Sequence, residues 1–102
     1  MISPADDALR TRWRELVATR LPQAAEVRPR WPVSLDHCFA RILLDNACGR
    51  PWRESVRAPA WRHMPADRLA VAIRLGEAVL DGREDLAVLN RRSLALRGKL
   101  RT

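Results

Sequence analysis

The sequence predicts an all-α fold, a small bundle of about four helices with proline-rich connections and short extra turns. Three observations carry that prediction. Every periodic apolar segment repeats near 3.6 residues rather than 2. No segment is rich in the β-branched residues that favour strands. The 7 prolines and 4 glycines fall mainly between the periodic segments, where they punctuate a helical chain. At 102 residues, 47% hydrophobic and 30% charged, the chain makes one folded domain with a single modest core.

The expected N-terminal helix spans residues 1–21. Ser3 caps it, Pro4 suits its first position and Asp6 its positive end, while Leu9, Trp13, Leu16 and Val17 share one face. Pro22 is expected to stop it, and residues 22–34 read as a linker broken by Pro22, Pro29 and Pro32, with Trp31 as anchor. Residues 35–98 form the helical core. Its first helix opens at Ser34, the best cap candidate, and carries Leu35, Phe39 and Ile42 on one side and Ala40 and Leu44 opposite. A helix apolar on two sides is usually central. Gly49 ends it, Pro51 starts a short turn through Val56, and Pro59 and Pro65 bound an irregular piece holding Trp61, His63 and Met64.

The next helix runs from about Pro65 to Asp81 with Leu69, Ile73, Gly76 and Leu80 on one stripe. Gly76 costs about 1 kcal/mol there relative to Ala, and close approach of another helix or of a Trp ring compensates. The last helix starts near Glu84 and Asp85. Its stripe is Leu86, Leu89, Leu96 and Leu100, with Ser93 at the missing position.

Charge is unevenly placed. The chain carries +7 overall, and of its 19 basic residues only Lys99 is a lysine. Residues 91–102 hold Arg91, Arg92, Arg97, Lys99 and Arg101 with no acid, a local +5, and residues 99–102 form a basic tail. On a helical wheel Arg92 and Lys99 flank one side of the leucine stripe, Arg97 the other, and Arg91 points away. They form a basic sleeve suited to sequence-independent phosphate contact. A cation adjoins every indole, as in Trp52-Arg53 and Trp61-Arg62. Arginine and aromatic surfaces stack on bases and grip phosphate. The plainer reading, supported by the place of Trp13 on its stripe, is that the tryptophans cement the core while the arginines face water.

The soft ligands are His37, Cys38, Cys48 and His63, and only the first two are close in sequence. Adjacent helical residues point about 100° apart, which suits no zinc site. Ten helical residues separate Cys38 from Cys48 by roughly 15 Å, against the 7 Å that a disulfide allows. Both cysteines read as small core or boundary residues. Asp36-His37-Cys38 is similarly splayed, so no catalytic, metal or cofactor-binding residue is assigned and no cofactor is expected. Arg41 and Asp45, four apart, form an expected exposed ion pair. Asn46 is expected to hold the Gly49–Trp52 turn. No apolar run approaches the roughly 18 residues of a membrane span, and a cytoplasmic protein without membrane partners is expected.

From Leu35-Asp36-His37-Cys38-Phe39 through Asp45-Asn46-Ala47-Cys48-Gly49, then Trp52, Pro59-Ala60, Met64 and Ala72-Ile73-Arg74-Leu75-Gly76-Glu77-Ala78, the chain resembles short proteobacterial proteins identified as GCN5-related N-acetyltransferases. The resemblance covers roughly residues 34–98. It implies acetyl transfer on a mixed α/β fold, with a Gln/Arg-x-x-Gly-x-Gly/Ala loop whose N–H groups hold the coenzyme A pyrophosphate. The nearest segment here is Gly76-Glu77-Ala78, with Ile73 where that loop has Gln or Arg. No coenzyme A residue is carried over.

The residues themselves favour a small basic, regulatory binding protein associated with DNA or RNA backbone. Its expected contacts are Arg91, Arg92, Arg97, Lys99, Arg101, Arg53 and Arg62. The rival is a protein-interaction adaptor, a homodimer or the partner of another protein, using the last leucine stripe and exposed tryptophans as anchors. Enzyme activity ranks third.

Overall fold

A computed structural model describes residues 3–99. Helix α1 spans Pro4–Glu15, and Ser3 caps it by accepting from the Asp6 N–H at 3.1 Å. The helical path does not stop at Pro22. A single wide π turn, Leu16–Arg20, leads directly into α2, Leu21–Ala25. Proline lacks an N–H and its ring presses on the carbonyl four residues back. A wider turn just before Pro22 relieves both conflicts, so the linker begins after Ala25 rather than at Pro22.

Helix α3 spans Asp36–Cys48 and begins without help from Ser34. Leu35 is the extended residue that precedes it, and the Asp36 carboxylate accepts from the His37 N–H at 2.7 Å. Gly49 ends it at φ 70°, a left-handed cap that a Cβ would strain. A 3₁₀ turn, Trp52–Glu54, follows Pro51. The stretch between Pro59 and Pro65 is ordered as one helical turn, α4, Ala60–His63. Helix α5 spans Ala66–Leu80 and α6 spans Leu86–Leu96, whose N-terminal N–H groups at Ala87 and Val88 donate to Asp85. The described residues contain no strand, so the fold is an all-α bundle and lacks the mixed layers that the resemblance implies.

Helix α3 is central, packed against α5, α6, the π turn and the 3₁₀ turn. Phe39, Ile42, Leu43 and Leu44 are all within 1% of full burial. Trp31 anchors the linker by setting its ring edge-on to Phe39, centroids 5.8 Å apart. At Gly76 the packing is close. A Cβ there would stand 2.7 Å from Leu16 Cδ2 and 2.9 Å from Leu43 Cδ1. The compensation is therefore a neighbouring helix and the π turn, not a Trp ring. In α6, Leu86 and Leu89 are buried, so this part of the leucine stripe serves the chain's own core rather than a partner. Leu100 and Arg101 lie outside the described residues.

Candidate functional site

The polar centre of the molecule is Asp45, fully buried in α3. Its carboxylate accepts from Ser93 Oγ at 2.6 Å, from Arg97 Nε and Nη2 at 2.6 and 3.0 Å, and from the Trp52 N–H at 2.9 Å. Burying a carboxylate is costly unless it is paired and fully hydrogen-bonded, and here every acceptor direction is used. The expected Arg41–Asp45 pair does not form. Arg41 instead donates to Ser93 Oγ and Asn90 Oδ1, both at 2.8 Å. Asn46 does not hold the following turn either. Its amide donates to the Ile42 and Leu89 carbonyls, tying α3 to α6, while Asp45 holds the turn through Trp52.

This network fixes Arg41 and Arg97 beside the Trp52 indole, where Arg53 joins them. Arg41, Arg53 and Arg97 line a cleft of about 310 Å³ with His37, Ala40 and Trp52. Arg53 lies over the Trp52 ring, 5.3 Å from its centroid. The charge of Arg97 is answered by Asp45, whose hydrogen bond holds the guanidinium above its ordinary range, with Glu54 adding to the effect. Arg41 has only neutral partners, and Arg53 makes no ion pair among the described residues. The cleft is therefore cationic.

A second groove, also about 310 Å³, adjoins the cleft at Trp52. It is mainly apolar, with Trp13, Val17, Leu44 and Trp61 among its walls, and it shares His37, Ala40 and Trp52 with the cationic cleft. Trp61 is 37% exposed, and the Arg14 guanidinium sits 4.7 Å from its ring centroid. Sequence neighbours alone do not set these stacks. Trp61 is covered by Arg14 rather than Arg62, and Trp31 by Arg28, at 5.1 Å, rather than Arg30. Trp13 is buried, as its place on the apolar stripe predicts.

The expected contact residues are thus divided. Arg53 and Arg97 meet in the cationic cleft, but the Arg97 guanidinium already serves Asp45. Arg92 lines a separate hollow with Asn46, Gly49, Ala95 and Leu96. Arg62, Arg91 and Lys99 are exposed. Sequence reasoning missed Arg41 and Arg14 as members of the site. Their signal lies only in the fold, since Arg41 is set by α6 and Arg14 by α4.

Other reactive groups offer less. Burial pushes the Cys48 thiol up from 9.0, against the lowering effect of a hydrogen bond with Ser55, so it is a poor nucleophile at neutral pH. Its Sγ lies 3.8 Å from Met64 Sδ. Among the described residues no three His, Cys, Asp or Glu side chains gather to hold a metal. No described helix is long and apolar enough to cross a membrane. The Gly76-Glu77-Ala78 segment lies inside α5 with Gly76 buried. The chain matches no protein-family model, no curated protein and no solved structure.

Proposed function

We propose that the chain is a small basic binding protein of the cytoplasm, regulatory in role, that associates with nucleic acid through its phosphate backbone. The observation that carries this reading is the Trp52 cleft, where Arg41 and Arg53 offer uncompensated cations beside an aromatic ring. A guanidinium presents fixed N–H donors suited to phosphate oxygens, and an adjacent indole gives a base somewhere to stack. Arg62, Arg91 and Arg92 make no ion pair among the described residues and extend the positive field beyond the cleft.

The test is anisotropy of a labelled oligonucleotide across a salt series. Binding should weaken steeply with salt, because each phosphate contact releases counterions. Replacing Arg53, Arg62, Arg91 and Arg92 together should remove most affinity and lower the slope by up to about four times 0.9 on duplex DNA. Arg97 is left intact, since its removal would strip Asp45 of its counter-charge. An absence of binding at low salt overturns the reading.

A protein-interaction adaptor is the second reading. It is favoured by two exposed leucines, Leu35 at 55% and Leu96 at 40% exposure. A solution mass above that of the monomer in the absence of nucleic acid would support it.

A further inference from the structure

We infer that the preferred nucleic acid is single-stranded, and that one unpaired base enters the groove between Trp52 and Trp61 while its neighbouring phosphate rests on Arg41 and Arg53. This rests on the nucleic-acid reading above and names the form of the ligand.

The two cavities differ in chemistry and share a wall. One is mainly apolar and walled by indoles, the other cationic, and Trp52 lines both. A nucleotide has the same division, a planar base joined through its sugar to a charged phosphate. The groove's 310 Å³ lies near the lower limit for small-molecule sites, so it suits one planar group. Arg14 and Arg53 lie over the Trp61 and Trp52 rings and restrain them, so less ordering remains to be done on binding. Asp36 is the acid on the groove's lining, and it is engaged at the start of α3 with the His37 N–H.

A duplex cannot use this arrangement. Its bases are stacked and paired, so its phosphates would touch the outer arginines while the groove stayed unfilled. Duplex readers present a protruding helix or ribbon to a groove, whereas this site is concave and its nearest outer element, α4, has only 4 residues. A single strand can splay a base out and stack it on an aromatic or guanidinium plane. An acidic peptide with an aromatic anchor would meet the same two cavities. The arginines spread beyond them, at Arg62, Arg91 and Arg92, favour a repeating polyanion.

The experiment uses the full chain and four fluorescein-labelled probes at one salt concentration. These are a twelve-residue oligothymidylate, its uridine counterpart, an abasic oligomer of equal length, and a duplex of equal length. The abasic probe keeps the phosphates and removes only the bases. It should bind about 5- to 150-fold more weakly than the oligothymidylate, the range one stacked base supplies. Trp61→Ala should lower single-strand affinity over the same range and leave duplex affinity unchanged. Trp61→Phe should restore part of it, and a thermal melt checks that both variants are folded. Equal binding of the abasic, single-stranded and duplex probes overturns the inference and leaves the nucleic-acid reading standing. Binding of none of them at low salt overturns both. An acidic, tryptophan-containing peptide that displaces the oligothymidylate from Trp61 while the abasic probe binds as well as the natural one also overturns it, in favour of a protein partner.

Discussion

Replacing Asp45 by Asn tests whether the buried ion pair holds α6 and the 3₁₀ turn onto α3. The substitution keeps the shape and removes the charge. One amide group must then face the Arg97 and Ser93 donors, which now approach within 2.6 Å of Oδ2. Breaking a buried ion pair by removing one partner costs about 3–5 kcal/mol. The Arg97 side chain is 24% exposed and can turn partly to water, which places the loss at the lower end, about 3 kcal/mol. Against a typical total of about 5–15 kcal/mol this is a large fraction. For a domain of this size it lowers the melting temperature by about 12–24 °C. Thermal and urea melts followed by circular dichroism at neutral pH measure it. Arg97→Leu on top of Asp45→Asn should then cost little more, since the pair is already broken. A loss below about 1 kcal/mol for Asp45→Asn would refute the reasoning.

Three further outcomes are expected. Gly76→Ala gains about 1 kcal/mol of helix propensity but pushes a methyl into Leu16 and Leu43, at a cost of about 1–3 kcal/mol; the melting temperature should fall, and a rise would show that the helices have room to part. Phe39→Ala should cost about 3–5 kcal/mol by emptying the centre of the core and freeing Trp31, and an unchanged melting curve would contradict the packing. In a Cys38→Ala background, iodoacetamide should alkylate Cys48 more slowly at pH 8 than it alkylates a free cysteine peptide. Burial favours the protonated thiol, so at a given pH the reactive thiolate is scarcer than in the peptide; alkylation faster than the peptide would be inconsistent with that environment.

Local chemistry made much of the fold legible in the sequence. Ser3, Gly49 and Asp85 sit at helix ends because their conformational and hydrogen-bonding preferences act over three or four residues. The central place of α3 followed from its two apolar sides. The ionic centre was not legible in that way, because Asp45 and Arg97 are 52 residues apart and a nearer arginine offered itself at Arg41. One clue was present. Ser93 interrupts a leucine stripe, and a hydroxyl on a buried face calls for a buried polar partner. Of the candidate site, the Trp52-Arg53 stack was visible as adjacent letters, whereas Arg14 reaches Trp61 only because α1 packs against α4.

The wide turn at Leu16–Arg20 also sets the phase of the first helical rod. In an unbroken α-helix each residue advances about 100°, so Leu21, eight positions after Trp13, would land about 80° away from it. A π turn holds one residue more than an α turn and delays the rotation by roughly one step. Leu21 thereby returns to within about 20° of Trp13, and the two are 1% and 2% exposed. The turn acts as a one-residue spacer that keeps both ends of the rod facing the same core. Tightening it to ordinary α geometry with every residue kept would send Leu21 about 80° out of register, so here the less regular backbone is the one that fits.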